Sequence, residues 1–183
     1  DERMQSVLGQ LQVLDDEHIL RGIGQEITEE GIGILPQTTL LKELLARPGT
    51  LTADEPSPGV EADMKYGFQM AREIGSLEIG QTVLVRQKAV LAVEAIEGTD
   101  AAIRRAGRFG GAGVTMAKVS RPGQDLRFDI PTIGPDTISA LSEIKARGLA
   151  IEAGKTFIID REEVVNMAEE EEITIKAYQA WEE

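Results

Sequence analysis

Residues 113–148 have the sequence GVTMAKVSRPGQDLRFDIPTIGPDTISALSEIKARG. GVTMAKVS (113–120) alternates along its length, which predicts a strand. DTISALSEIKARG (136–148) follows a proline and ends at a glycine, which predicts a helix. Between the two, glycines and prolines predict a shaped loop rather than the interior of a regular element. A strand, a loop and a helix in this order indicate an α/β fold.

Further strands and helices are predicted on both sides of this stretch. TVLVRQKAVLAVEAI (82–96) predicts a hairpin with its turn near Gln87–Lys88. EGTDAAIRRAG (97–107) predicts a helix with Thr99 as N-cap and Gly107 at its end. The remaining predictions are an amphipathic helix in EADMKYGFQMAREIGSL, short strands in LAIEAG and TFIID, a helix capped by Asp160, and an edge strand in ITIKAY. Residues 61–183 are therefore predicted to form a C-terminal α/β domain with a mixed sheet.

The first 50 residues predict a separate lobe. A helix is expected at 15–30, a short strand in GIGIL (31–35) and a second helix in TTLLKELLA (38–46). This order is typical of the end of an α/β domain whose beginning is absent. The chain starts with Asp1 rather than Met, so we expect a fragment or a processed form. The prolines and glycines before the next helix predict an interdomain linker, placed at 51–60.

Composition limits the kinds of site that the chain can hold. It has no cysteine and one histidine in 183 residues, which excludes disulfides, thiolate metal sites and zinc sites built from several histidines. Any metal would be bound by oxygen, which favours magnesium, manganese or calcium. No apolar stretch approaches the roughly 20 residues that span a bilayer, and no signal peptide is visible.

The charge distribution favours a small anionic ligand. A formal net charge of −13 argues against general affinity for nucleic acids or anionic membranes. Residues 97–150 nevertheless contain eight Lys/Arg against six Asp/Glu. The loops rich in glycine and proline coincide with this locally basic region.

The loop at 121–137 combines carboxylates with guanidiniums. Asp125 and Asp129 can hold a divalent cation or activate water, while Arg121 and Arg127 can bind a phosphate. Their four-residue spacing would put the two carboxylates on one side in a helix and also in an extended segment. The alternative is a surface loop whose charges face water.

EGTD (97–100) is a second candidate, because a helix N-terminus offers free N–H groups to a phosphate oxygen. Glu97 and Asp100 would suit such a site if a metal bridged them to the ligand. The alternative is a simple capping motif.

Several of these motifs, in order, resemble a known family. IGQTVLVRQKAVLAVEAIEGTDAAIRRAG, VTMAKVS, RPGQDLRFDIPTIGPDTI and EAGKTFIIDREEV look like the C-terminal domain of the LpxI-type UDP-2,3-diacylglucosamine pyrophosphatases. The resemblance covers about residues 61–177. Residues 1–50 look like the end of that family's Rossmann-like N-terminal domain, and the resemblance implies that we should expect roughly the first half of that domain to be missing.

The resemblance implies an enzyme of lipid A biosynthesis in Gram-negative bacteria. Such enzymes hydrolyse a lipid-nucleotide, UDP-2,3-diacylglucosamine, to lipid X (2,3-diacylglucosamine 1-phosphate) and UMP, with Mg²⁺ or Mn²⁺. They act in the cytoplasm, as peripheral proteins on the inner membrane. The resemblance implies no nucleic-acid partner and leaves a homodimer open.

The resemblance also implies roles for individual residues. Asp129 would be the essential carboxylate, Asp125 a second catalytic acid, and Asp129, Asp100 and Glu97 the metal ligands. The residues expected to bind substrate are Gln81, Gly98, Thr99, Lys118, Arg121, Gln124, Arg127, Thr132 and Thr137. Arg121 departs from the lysine expected there and keeps the positive charge. The alternatives are a module that binds a phosphorylated ligand without turnover, because the missing half completes the site, and a purely structural domain.

Overall fold

A computed structural model describes residues 2–11 and 16–179, and for residues 16 and 17 the backbone only. Its contacts divide the chain into two compact units. The first unit runs to Glu43 and also includes Gly123–Ile130, and the second contains Leu44–Pro122 and Pro131 onward. The predicted boundaries of 1–50, 51–60 and 61–183 remain a prediction.

The regular secondary structure described in the first unit is helical. Its helices are α1 (Glu2–Gln10), α2 (Asp16–Glu29) and α3 (Gln37–Leu40), followed by a 3-10 turn at Lys42–Leu44. The amphipathic helix predicted at 15–30 is confirmed as α2, although Asp15 lies outside the described residues. The single helix predicted at 38–46 is wrong, because α3 ends at Leu40 and only the 3-10 turn follows.

The strand predicted at 31–35 is also wrong. Residues 32–36 have no regular secondary structure, and Ile32 and Leu35 are 60% and 63% exposed. A strand needs a neighbour that pairs with its N–H and C=O groups. The described part of the first unit offers no such neighbour, so a short apolar run did not become a strand.

The second unit is an α/β domain built on a mixed six-stranded sheet, which confirms the predicted fold class. The strand order is β1-β8-β6-β4-β2-β3, and β4, β6 and β8 are parallel to one another. A two-stranded parallel sheet pairs β5 with β7. The strands are β1 (Gly49–Thr50), β2 (Thr82–Arg86), β3 (Ala89–Val93), β4 (Thr115–Lys118), β5 (Thr132–Ile133), β6 (Gly148–Glu152), β7 (Phe157–Ile158) and β8 (Thr174–Tyr178).

Helices cover both faces of this sheet. They are α4 (Pro58–Ser76), α5 (Thr99–Gly110), α6 (Pro135–Glu143) and α7 (Arg161–Glu170). Met64 and Phe68 of α4 pack with Val83 and Ala150 on one face, whereas α5, α6 and α7 pack on the other. Because successive strand residues point to opposite faces, strands buried on both sides become continuously apolar. The interior strands β4 and β6 are accordingly buried along their whole length.

The hairpin of β2 and β3 is confirmed, with its turn at Gln87–Lys88. Both turn residues have positive φ, at 52° and 58°, a backbone region that residues other than glycine rarely adopt. The buried carboxylate of Asp63, on α4, accepts the N–H groups of both residues at 2.7 Å. A helix on the sheet thus stabilises a turn 24 residues away in sequence.

Three details of the predicted elements need correction. ITIKAY is not an edge strand, because β8 lies between β6 and the two-residue strand β1. The N-cap of α5 is Gly98 rather than Thr99, and the helix continues past Gly107 to Gly110. Asp160 does precede α7, but its side chain makes no capping hydrogen bond. Each helix within residues 2–11 and 16–179 is too short or too polar to span a bilayer.

Candidate functional site

The carboxyl ends of the parallel strands gather polar residues at one edge of the sheet. Lys118 is the last residue of β4 and Glu152 the last residue of β6. The β2–β3 hairpin returns to the same edge, so Glu94, which directly follows β3, also lies there. In α/β sheets, ligands bind outside the carboxyl ends of the strands. This edge is therefore the candidate site in the second unit.

Lys118, Thr99 and Glu94 form a hydrogen-bonded group that we call the strand-end cluster. The Lys118 ammonium donates to the Thr99 hydroxyl at 3.1 Å, and that hydroxyl donates to the Glu94 carboxylate at 2.6 Å. Lys118 and Glu94 are each only 8% exposed. Charged side chains are rarely buried to this extent without partners. The cluster thus places a cation and an anion at the strand ends, joined through one hydroxyl.

Glu152 supports the same edge from the next strand. One of its carboxylate oxygens accepts the backbone N–H of Ser120 at 2.8 Å, and the other pairs with the Lys155 ammonium at 2.9 Å. Its side chain is 2% exposed. Because Ser120 follows β4 closely, this contact holds the chain as it leaves the strand. Glu152 therefore fixes the backbone at Ser120, where the chain leaves β4.

Four of the predicted site residues lie at the N-terminus of α5: Glu97, Gly98, Thr99 and Asp100. Gly98 is the N-cap, with φ of 82°, and it makes no side-chain cap. Glu97 pairs with the guanidinium of Arg105, while Asp100 is exposed and lies 3.9 Å from Arg104. A hydrogen bond from its own backbone N–H is the main cause that lowers the pKa of Glu97, and Arg105 adds to it. The structure does not bring Glu97 and Asp100 onto a shared partner.

Four further predicted site residues belong to the second unit: Gln81, Arg121, Thr132 and Thr137. Gln81 precedes β2, and its carbonyl accepts the N–H of Val119, just after Lys118. Arg121 lies three residues beyond Lys118 and is partly buried. Thr132 is exposed on β5, and the Thr137 hydroxyl accepts the N–H of Gly134 at the start of α6. Gln81 is thus directly adjacent to β4, whereas Thr137 is used in capping.

Residues 123–130, in the first unit, form a turn that we call the Asp125 turn. The Asp125 carbonyl accepts the N–H groups of Phe128 and Asp129. The Gln37 side chain donates to the carbonyls of Arg127 and Phe128. The Phe128 ring packs closely on Gly24 of α2. Side-chain contacts to α2 and the start of α3 therefore shape this segment.

Asp125 and Arg127 satisfy each other. The guanidinium binds both carboxylate oxygens, at 2.9 Å and 2.6 Å, and the Arg127 N–H adds a third bond at 3.1 Å. Arg21 lies 3.7 Å from the same carboxylate. These bonds, above all those from Arg127, lower the pKa of Asp125 to about 2. A carboxylate held in this way is a poor proton acceptor and has little capacity left for a metal.

Asp129 has a side-chain partner other than Arg127, namely Gln124. The amide of Gln124 donates to one of its carboxylate oxygens at 2.5 Å, and Gln124 is 9% exposed. The two aspartates predicted to converge on one ligand therefore have different side-chain partners within the turn. Gln124, predicted to bind substrate, orients Asp129.

The described residues contain no group of three or more His, Asp or Glu side chains that could hold a metal. Magnesium, however, is often bound by one or two carboxylates together with the phosphates of a substrate. Asp129 suits that role chemically, since its donors are hard carboxylate oxygens and Gln124 fixes its position. Asp125 does not, because Arg127 occupies both of its oxygens.

Sequence reasoning missed two carboxylates at the strand ends, Glu94 and Glu152. Each is a charged residue directly after or at the end of an apolar strand, in AVLAVE and LAIE. In strands that end at a buried edge, such an acid is a candidate for the site rather than a solvated residue. That position was the signal that could have identified both.

Two comparisons with known proteins bear on this geometry. A family model described as the LpxI C-terminal domain matches residues 47–176. A curated relative from Caulobacter vibrioides, named UDP-2,3-diacylglucosamine pyrophosphatase LpxI, is 37% identical over 163 residues. The match covers 85% of this chain and 58% of that relative. The chain thus spans somewhat more than half the length of the relative, and the family match includes the whole strand-end cluster.

Proposed function

This chain belongs to the LpxI family, and we propose on that basis that it acts in hydrolysing UDP-2,3-diacylglucosamine to lipid X and UMP, a step of lipid A biosynthesis. The name of the Caulobacter relative supports this substrate and reaction. Because the chain covers 58% of that relative, activity of the chain as given is part of the proposal.

The observation that carries the proposal is the buried ammonium of Lys118 at the carboxyl ends of the strands. Hydrolysis of a diphosphate needs positive charge near the phosphoryl oxygens and an oriented water. A cation that is fixed before the substrate arrives stabilises developing charge without reorganisation. Lys118 is fixed in this sense by its hydrogen bond to Thr99. In the proposal it binds a phosphate of the substrate.

Asp129 is the proposed ligand of a divalent cation, Mg²⁺ or Mn²⁺. When bound with the substrate, such a cation neutralises phosphate charge and makes its bound water more acidic. Of the three metal ligands predicted from the sequence, Glu97 is paired with Arg105 and Asp100 is exposed beside Arg104. Asp129 is instead oriented by the buried Gln124 amide. Asp129 also has the carboxylate that would orient the attacking water.

Two further parts of the proposal follow from the substrate. A lipid with two acyl chains stays in the bilayer, so the chain would work as a peripheral protein at the cytoplasmic face of the inner membrane. The substrate is a lipid-nucleotide and not a nucleic acid. A homodimer remains a prediction.

The test is turnover of UDP-2,3-diacylglucosamine by the chain, with magnesium or manganese and then with a chelator. Asp129→Asn and Lys118→Met are compared with Lys88→Met, which removes an exposed lysine from the hairpin turn. We expect metal-dependent release of UMP by the parent and by Lys88→Met, and loss of release in the other two variants.

Two results would count against the proposal. Equal release by Lys118→Met and the parent would remove Lys118 from the site. A parent that binds lipid X but releases no UMP, even with excess metal, would instead support a module that binds a phosphorylated ligand without turnover.

A further inference from the structure

Glu94 is a buried carboxylate that the proposed reaction does not yet use. Its backbone N–H donates to the Thr82 carbonyl at 2.9 Å. A Cβ at position 80 would collide with its carbonyl oxygen, so the chain before β2 packs directly against it. Its side chain is held below the surface, with 8% of the residue exposed. The position of Glu94 is therefore fixed by backbone contacts from two directions.

The hydrogen bonds of the strand-end cluster have a fixed direction. A hydroxyl has one proton, and at 2.6 Å the acceptor of the Thr99 proton is the Glu94 carboxylate, which cannot itself donate when ionised. The Thr99 oxygen is then left to accept from Lys118. Protons thus point from Lys118 to Thr99 and from Thr99 to Glu94. Hydrogen bonds in such a chain strengthen one another in a poorly solvated environment.

This arrangement restrains a side chain that is otherwise mobile. A lysine has a flexible four-carbon stem and a single charged end, and it loses much rotational freedom when it binds a phosphate. An acceptor already in place at Thr99 removes part of that cost before the ligand binds. Thr99 can serve as that acceptor only while its proton is committed elsewhere, and Glu94 is its partner.

We propose that Glu94 is a positioning residue, which acts through the Thr99 hydroxyl to hold the Lys118 ammonium in place for a phosphate of the substrate. This inference rests on the proposed function for its ligand. Glu94 itself does not touch the substrate, since the oxygen not bonded to Thr99 is buried. A purely structural role, in which Glu94 only ties the hairpin to α5, is the competing explanation.

The first experiment follows the Lys118 ammonium directly, by proton–nitrogen NMR of the lysine side chains. The Lys118 resonance is identified by its loss in Lys118→Met. We expect slow hydrogen exchange of this group in the parent and in Thr99→Ser, and fast exchange in Thr99→Val and Glu94→Leu. Glu94→Gln, which retains an acceptor of the same size, should restore slow exchange.

A matched control comes from β4. Thr115 is 1% exposed and its hydroxyl has no hydrogen-bond partner among the described residues, so Thr115→Val repeats the chemical change without removing a contact. We expect it to leave the Lys118 resonance unchanged. Slow exchange in Thr99→Val, or fast exchange in Thr115→Val, would overturn the proposal. Amide spectra of each variant confirm that it is folded.

The second experiment measures turnover. Glu94→Leu should lower kcat about 10- to 100-fold, the range expected when a supporting residue is removed. The double variant Glu94→Leu with Lys118→Met should be no slower than Lys118→Met alone. If the two substitutions lower kcat by factors that multiply in the double variant, Glu94 acts independently of Lys118 and the proposal is overturned. If the parent is inactive, the proposed function fails, and the NMR result alone still decides whether Glu94 positions Lys118.

Discussion

The strand-end cluster and the Asp125 turn contain the same chemical groups but use them differently. In the turn, a carboxylate and a guanidinium two residues apart bind each other through both carboxylate oxygens. In the cluster, a carboxylate and an ammonium 24 residues apart meet through a hydroxyl. Direct pairing neutralises both partners, whereas in the cluster Thr99 holds the cation in place without a direct bond between Lys118 and Glu94. The turn is thus suited to shaping the loop, and the cluster to binding.

The two regions also rest on different supports. Lys118 ends a strand of the sheet, and its neighbour across the ladder on β6 is the buried Ile151. Asp125 lies in a loop held mainly by side chains of α2 and the residues that follow. Groups on regular elements are held more precisely than groups on loops. Changes to the core beneath the cluster should therefore have the largest effects.

Ile151→Ala should weaken the second unit most. Ile151 is fully buried, and truncating it to Ala leaves a cavity below the strand end. Such changes cost about 2–5 kcal/mol in free energy of unfolding. Urea unfolding measures the change, with Val90→Ala on the partly exposed strand β3 as control. A loss no greater than that of the control would show that this part of the core does not support the cluster.

Lys118→Met should lower kcat for UDP-2,3-diacylglucosamine about 10²- to 10³-fold, as expected when one group that stabilises transition-state charge is removed. The same change should leave the protein folded, because Met fills a similar volume, but it should lower the unfolding free energy because the buried Glu94 carboxylate loses its nearby cation. Steady-state kinetics and urea unfolding on the same preparations test both parts. A variant that is unfolded, or one with parental kcat, contradicts this expectation.

Arg127→Gln should release the Asp125 carboxyl. In the parent its pKa is lowered to about 2, whereas in the variant it should return toward the ordinary value of 3.8. Because the pKa is lower in the folded state, the pair stabilises the protein above pH 3.8, and this contribution is lost as the pH falls through about 2. Carbon NMR of the carboxyl group against pH gives both values.

Arg104→Gln is the control for this titration, since Arg104 pairs weakly with Asp100 in the second unit. It should leave the Asp125 titration unchanged. An Asp125 midpoint near 3.8 in the parent would mean that Arg127 does not hold the carboxylate in solution.

Lys155→Met should have the smallest effect. Lys155 is 46% exposed where it pairs with the buried Glu152, and Glu152 keeps the Ser120 N–H after the change. A half-exposed ion pair contributes less than about 1 kcal/mol. Urea unfolding should therefore show a loss below that figure. A larger loss would show that direct pairing at the strand edge matters as much as packing beneath it.

The sheet could largely be predicted from the sequence because its signals are local. Alternation in GVTMAKVS and the polar turn at Gln87–Lys88 identified β4 and the β2–β3 hairpin. The predicted edge position of β8 was wrong, since its outer neighbour β1 has two residues and no period to recognise. The strand predicted in GIGIL was wrong for the opposite reason. Its apolar pattern is strong, but no strand pairs with it in the described part of its unit.

The candidate site was harder to predict, because pairing between side chains is not visible in residue types. Thr99 and Lys118 were identified as site residues, but the acid that accepts the Thr99 hydroxyl proton was not. Glu94 looks like an ordinary polar residue after a strand until the hairpin returns it to the edge of β4. Asp125 and Asp129 were predicted to act together, yet Arg127 and Gln124 engage them separately. Both cases concern which partner a charged group meets, and that depends on contacts that residue types alone do not reveal.

The contact between Asp63 and the hairpin turn has a consequence for the order of folding. The turn residues Gln87 and Lys88 have positive φ, a conformation that favours glycine. The isolated hairpin is therefore not expected to be stable by itself. The turn is stabilised only when α4 packs on the sheet and Asp63 accepts the N–H groups of both turn residues. Closure of the hairpin and docking of the helix should therefore be one cooperative event. Asn-Gly in place of Gln87 and Lys88 would uncouple them and allow the hairpin to form first.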